Sequence, residues 1–169
     1  MKRIVLFVVC GLLFASAASA QTKIGYINSA DLLSVIPEVK KATTDLEAYQ
    51  KTFVDQFQQL QKDFQDKYQA YTAGQKAMTD AVREAREQEL ADLQKRIQTF
   101  EQSAEEKIMK KREELLNPHI ERAKKAINDV AKEKNYDYVF DKAEGNSTLL
   151  YAKETYDMMT DIKAKLGIK

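Results

Sequence analysis

The chain of 169 residues has no Trp, one Cys, one His, two Pro and five Gly. Each scarcity excludes something. A single cysteine, Cys10, allows no disulfide framework and no Cys-based zinc site. A single histidine, His119, leaves no His-rich metal centre and no catalytic dyad built on a second His or Cys. So little Gly and Pro nearly excludes a turn-rich all-β fold. Neither a Gly-rich phosphate loop nor a G-x-G-x-x-G motif is present. Charge of one sign is not in excess either. The 27 basic and 26 acidic residues argue against a generic nucleic-acid binder. What is plentiful is charge itself, 31% of residues, with a mean hydropathy of −0.53. That composition suits long solvated helices.

The first twenty residues read as a leader and not as part of the fold. Lys2 and Arg3 make a short positive start, Ile4 to Ala15 is uncharged and mainly apolar, and Ala18-Ser19-Ala20 has the small-x-small cleavage pattern. A secretory signal peptide cleaved after Ala20 is expected. An uncleaved anchor is the alternative, but the apolar run is shorter than the ~18–20 residues a spanning helix needs. Cys10 follows Val9 inside that run, which does not fit a lipoprotein site. The leader carries two bases and no acid, so the mature chain has no Cys and a net charge of about −1. It would enter an oxidising compartment without using disulfides.

Three parts follow. Residues 21–36 hold the β-favouring run K-I-G-Y-I-N, Lys23 to Asn28, and a brief helix over Leu32, Leu33, Val35 and Ile36, capped by Ser29 or Asp31. Pro37 then suits the first position of a new helix. Residues 37–134 form a helical hairpin with its tip near 72–76. Leu46, Tyr49, Phe53, Phe57, Leu60, Phe64, Tyr68 and Tyr71 recur three or four residues apart, and so do Leu90, Leu93, Ile97, Phe100, Ala104 and Ile108. Gly74 can end the first helix in the left-handed conformation. Arms of ~35–40 residues would reach ~50–60 Å. The stripe thins between Tyr71 and Leu90, so the far end should be loosest. Pro118 should kink or break the returning helix. Residues 135–169 give Tyr136–Asp141 and Thr148–Tyr151 as two strands of a β-hairpin around Gly145-Asn146, then a closing helix Glu154–Leu166 stopped by Gly167.

The strands lie at both ends of the chain, so a sheet forms only if the helical hairpin returns to its base. The fold class is then α+β: a small β-body of N- and C-terminal strands with a long antiparallel two-helix arm. Such a body hides little apolar surface. Ile24, Tyr26, Ile27, Val139, Phe140, Leu149 and Leu150 therefore read as an oligomer core, with self-association through the sheet. His119 reads as a solvated or packed helix residue. Glu105-Glu106 and Glu113-Glu114 lie beside Lys and Arg and read as a charged helix face. No catalytic constellation, cofactor motif or metal set appears, so an enzyme is not expected.

The leader, the K-I-G-Y-I-N strand, the helical hairpin, Y-D-Y-V-F-D, T-L-L-Y and the closing E-T-Y-D-M-M-T-D-I-K-A-K-L helix occur in that order. In this the chain resembles the Skp/OmpH family of periplasmic chaperones over about residues 23–166. The resemblance implies a homotrimer with a central β-body and three arms around a cavity. It implies that unfolded outer-membrane β-barrel proteins are held there without ATP and then passed to the insertion machinery. The near-neutral mature chain departs from the markedly basic character of Skp, which counts against lipopolysaccharide or lipid contact. Tyr68, Tyr71 and Met78 lie where the two stripes stop matching, and they are the candidates for client contact, being large, soft or partly polar. They could equally just close the tip. A structural or adaptor coiled-coil protein of the envelope is the alternative function; it would share the helices but has no need of the returning strands.

Overall fold

The computed structural model describes residues 22–143 and 149–168. The leader reading and the Gly145-Asn146 turn lie outside these. The described chain is mostly helical, with two long helices and a small two-stranded parallel sheet.

Strand β1, Ile24–Ile27, leads directly into helix α1, Ser29–Val35. The cap is Asn28, not Ser29 or Asp31. Its extended backbone lets Oδ1 accept from the N–H groups of Ala30 (3.1 Å) and Asp31 (3.2 Å). Ser29 is engaged elsewhere: its N–H donates to Asp141 Oδ1 at 3.0 Å and its hydroxyl to Asp141 Oδ2. Pro37 opens α2, Pro37–Gly74, at a position where no backbone donor is needed.

Gly74 does not adopt the left-handed conformation. Its φ of −95° and ψ of −10° keep it helical, and the reversal falls slightly later, in a 3₁₀ turn Gln75–Ala77 followed by extended Met78 and Thr79. The glycine matters for space instead, since a Cβ there would sit 3.0 Å from Met78 Cε. Thr79 then caps α3, Asp80–Glu133, by accepting from Val82 N–H. Pro118 lies inside this helix, which runs on through it unbroken. Proline removes one donor, and the carbonyl it would have served belongs to Glu114. Both residues are exposed, so water can satisfy that carbonyl.

Helices α2 and α3 pack along their length, and residue numbers rise on one as they fall on the other. Glu38 meets Arg122 at 2.8 Å, the Phe53 ring lies 6.2 Å from that of Phe100, and Lys67 meets Glu89. Few of their residues are buried. Ala42, Leu46 and Tyr71 on α2 are, as are Leu93 and Ala104 along the same stretch of α3.

Strand β2, Tyr138–Asp141, pairs in parallel with β1 in the register Ile24–Tyr138 to Ile27–Asp141. The helix pair is thus the crossover of the sheet. The expected β-hairpin is not formed, because Leu149–Tyr151 is not a strand. The other edge of β1 is used by Asp157: Tyr26 bridges to it, and Met158 N–H donates to the Tyr26 carbonyl at 3.0 Å. The reason is packing. Met158 is fully buried and must reach the core past β1, which leaves Leu149–Tyr151 outside. The same detour divides the closing helix into a 3₁₀ turn, Glu154–Tyr156, and α4, Met159–Leu166. Gly167, at φ 75°, ends α4 with N–H bonds from Gly167 to Ala164 O and from Ile168 to Lys163 O.

The core lies under the sheet. Ile27, Leu32 and Ile36 from the N-terminal end meet Ala123, Ala126 and Val130 of α3 and Met158, Ile162 and Leu166 at the C-terminal end. Gly25 is required by this packing, since a Cβ there would lie 2.5 Å from Met158 Sδ. Arg122 ties three elements together, donating to Glu38 Oε1 on α2 and to the Leu166 carbonyl of α4.

Candidate functional site: two exposed apolar surfaces

Side chains alternate across a strand. Gly25, Ile27 and Val139 therefore face the core, while Ile24, Tyr26, Tyr138 and Phe140 share the outer face. On that face Tyr26 is covered, with Lys142 Nζ 5.4 Å from its ring centroid. Burial, and then the Asp157 and Glu154 carboxylates, push its hydroxyl above the usual phenol range. The rest stays open. Tyr138 is 61% exposed, Tyr151 79% and Leu150 98%, and Ile24, Phe140 and Tyr156 are exposed too. Ile24, Phe140, Leu149, Tyr151, Ala152 and Tyr156 line a groove of about 640 Å³. Among the described residues β2 pairs with no strand but β1.

Asp141 fixes the end of this edge. Burial works to raise its pKa, but the hydroxyl and N–H of Ser29 and the N–H of Ala143 outweigh it, so the carboxyl sits below its ordinary range.

The seven residues expected to form an oligomer core thus divide. Ile24, Phe140, Leu149 and Leu150 belong to the outer surface, whereas Tyr26 and Ile27 are buried within the chain and Val139 packs half-buried against its core. A strand with one face already covered cannot spend all its apolar residues on a partner. Tyr138, Tyr151 and Tyr156 share the exposed surface without having been among the seven. Only the alternation of Tyr138 with Phe140 could have pointed to one of them.

The second surface lies on the helix pair. Tyr68 is half exposed and stacks on Phe64, ring centroids 6.2 Å apart. Met78 is half-buried beside Gly74. Tyr71 does not lack partners: it is buried, its hydroxyl donates to Glu87 Oε1, and it accepts from Gln75 Nε2 at 2.8 Å. The Glu87 bond, then burial, holds that hydroxyl above the usual phenol range. Nearby, Lys67 and Arg86 hold Glu89 below the usual carboxylate range. The tip end is therefore stapled by polar contacts despite its sparse apolar stripe. The larger opening is midway along, where Phe53, Val54 and Phe57 of α2 and Phe100, Ala104 and Ile108 of α3 line a groove of about 540 Å³.

No group of His, Cys, Asp and Glu among the described residues could hold a metal ion. No described helix is long and apolar enough to cross a membrane.

A small parallel sheet whose crossover is a pair of long helices defines the architectural class. A crystal structure from Caulobacter crescentus CB15, described as an OmpH-like outer membrane chaperone, shares it, with a TM-score of 0.68 over 88% of this chain and 86% of that one. At 12% identity the likeness is one of fold. No curated protein matches the chain in sequence. The family model for outer membrane protein (OmpH-like) matches residues 23–166, and the chain belongs to that family.

Proposed function

We propose that the chain is an ATP-independent holding chaperone of the periplasm, exported by a cleaved leader. It encloses unfolded outer-membrane β-barrel proteins and keeps them from aggregating before membrane insertion. The working unit is a homotrimer joined through the outer sheet faces, from which three antiparallel helix pairs project as arms. One observation carries the reading: a small body exposes Ile24, Tyr138, Phe140, Leu150 and Tyr151 beside a strand that, among the described residues, is paired on one side only, at the base of two long, sparsely buried helices. Large exposed apolar patches mark interaction sites, and an unpaired edge adds backbone bonds to any partner strand. Family membership and the Caulobacter neighbour support the chaperone role.

Mass measurement of the mature protein, alone and with a urea-unfolded outer-membrane protein, tests this. Three copies alone, and three copies with one client, are expected. A monomer that neither assembles nor captures the client would defeat the reading. Tyr138→Asp separates the surface from the core. It should dissociate the assembly while leaving helicity unchanged, whereas Val139→Asp would damage each chain's own core.

A further inference from the structure

We infer that the groove midway along the helix pair is a contact site for unfolded segments in which apolar or aromatic residues are flanked by Lys or Arg. This rests on the holding-chaperone reading and names what one part of the arm selects. The groove is floored by buried Ala104, the small residue that leaves room beneath the rings of Phe53, Phe57 and Phe100. Val54 stands at its mouth, 50% exposed. These are the large, adaptable surfaces that take up varied side chains.

The rim decides the occupant. Glu101 and Glu105 lie one turn apart on α3 and both line the groove, with no Lys or Arg among its lining residues. Other acids along the pair are held by cations: Asp45, Asp55 and Asp66 each bind the Lys four residues before, and Glu89 binds Lys67 and Arg86. Lys51, the cation on α2 nearest in sequence to Phe53, is held by Asp55 at 2.7 Å. Glu101 and Glu105 have no ion pair or hydrogen-bonding side chain among the described residues. Two uncompensated carboxylates beside an apolar trough repel acidic segments and attract basic ones, and the low-dielectric wall strengthens both effects. The surface therefore fits a chain that presents an apolar residue to the floor and a cation to the rim.

The test uses the full mature chain and two fluorescent peptides of alternating Phe and Val, one flanked by Lys and the other by Glu. At low salt the Lys-flanked peptide should bind tighter by on the order of tenfold. Glu101→Gln/Glu105→Gln changes only exposed side chains and should reduce the preference to about twofold or less by the same electrostatics. A photo-reactive residue at position 54 should cross-link to the Lys-flanked peptide. Equal affinities, a preference that survives the double variant, or cross-linking of position 54 to another copy of the chain would each overturn the inference. Holding of an unfolded β-barrel protein, followed in parallel, keeps the two ideas apart. If the protein holds it but shows no peptide preference, the groove inference fails alone; if the protein holds nothing, the reading beneath it fails.

Discussion

The body and the arms are built on opposite principles. In the body, nine residues from three stretches of the chain converge on one buried cluster, and Leu32, Ile36, Met158 and Ile162 are buried completely. Along the helix pair the seam is half open, and exposed Lys–Asp pairs four residues apart support α2 from within. A core of the first kind fails when one atom group is lost or added. A surface of the second kind spreads its stability over many small terms. The contrast suits a rigid base that carries adaptable limbs.

Substitutions should break this comparison most visibly in the body. Ile162→Ala removes a fully buried side chain and should cost ~3 kcal/mol. Urea unfolding followed by circular dichroism would measure it, and a loss under ~1 kcal/mol would mean the body collapses around cavities as easily as an arm. Gly25→Ala comes next, at roughly 2 kcal/mol, because the new Cβ would meet Met158 Sδ at 2.5 Å and buried Met158 has no free direction in which to retreat. If the variant unfolds at the wild-type urea midpoint, the sheet must be able to lift off Met158.

Asp141→Asn should cost less, roughly 1 kcal/mol, since the site is largely exposed and solvent screens its bonds. Here pH sharpens the test. The folded carboxyl sits below its ordinary value, so its contribution is complete above the unfolded pKa of about 3.9 and is lost as pH falls through the folded value. The gap between wild type and Asp141→Asn should therefore be full at neutral pH and begin to close only below about pH 4. A gap that is the same at pH 7 and pH 3 would assign the effect to shape and not to charge. Smallest of all, Lys51→Gln breaks an exposed pair with Asp55 and should shift stability by no more than ~0.5 kcal/mol. A larger loss would show that the arm depends on single pairs as the body depends on single side chains.

The same contrast explains what could be read from the sequence. The three-and-four spacing from Leu46 to Tyr71 carries the helix in its local pattern, and so do Pro37 at a helix start and Gly167 at a helix end. The pairing of Leu149–Tyr151 was misjudged because Gly145-Asn146 is a strong local turn signal, whereas the contact that replaced it, Tyr26 with Asp157, follows from where Met158 must go. Of the two outcomes expected at Pro118, a break is absent; the carbonyl left without its donor belongs to exposed Glu114, and that exposure is not visible in the proline itself. The site was less legible than the fold. A stripe of aromatics does not reveal which rings close a seam, as Tyr71 does through Glu87, and which leave a trough, as Phe53 and Phe57 do.

The parallel pairing of β1 with β2 has a consequence for how the molecule comes to exist. Lys23 N–H donates to the Asp137 carboxylate across 114 positions of sequence. Closing so long a loop directly is slow. The helix pair should shorten the search: helices grow from local contacts, and their zippering is expected to deliver Asn28 close to Tyr136 before the strands pair. Met158 and Ile162 complete the cluster, packing with Ile27, Leu32 and Ile36 from more than 120 positions earlier in the sequence. Stopped-flow refolding should show a fast helical phase preceding the slower burial of Tyr26, and a single shared phase would mean that the limbs and the base assemble together.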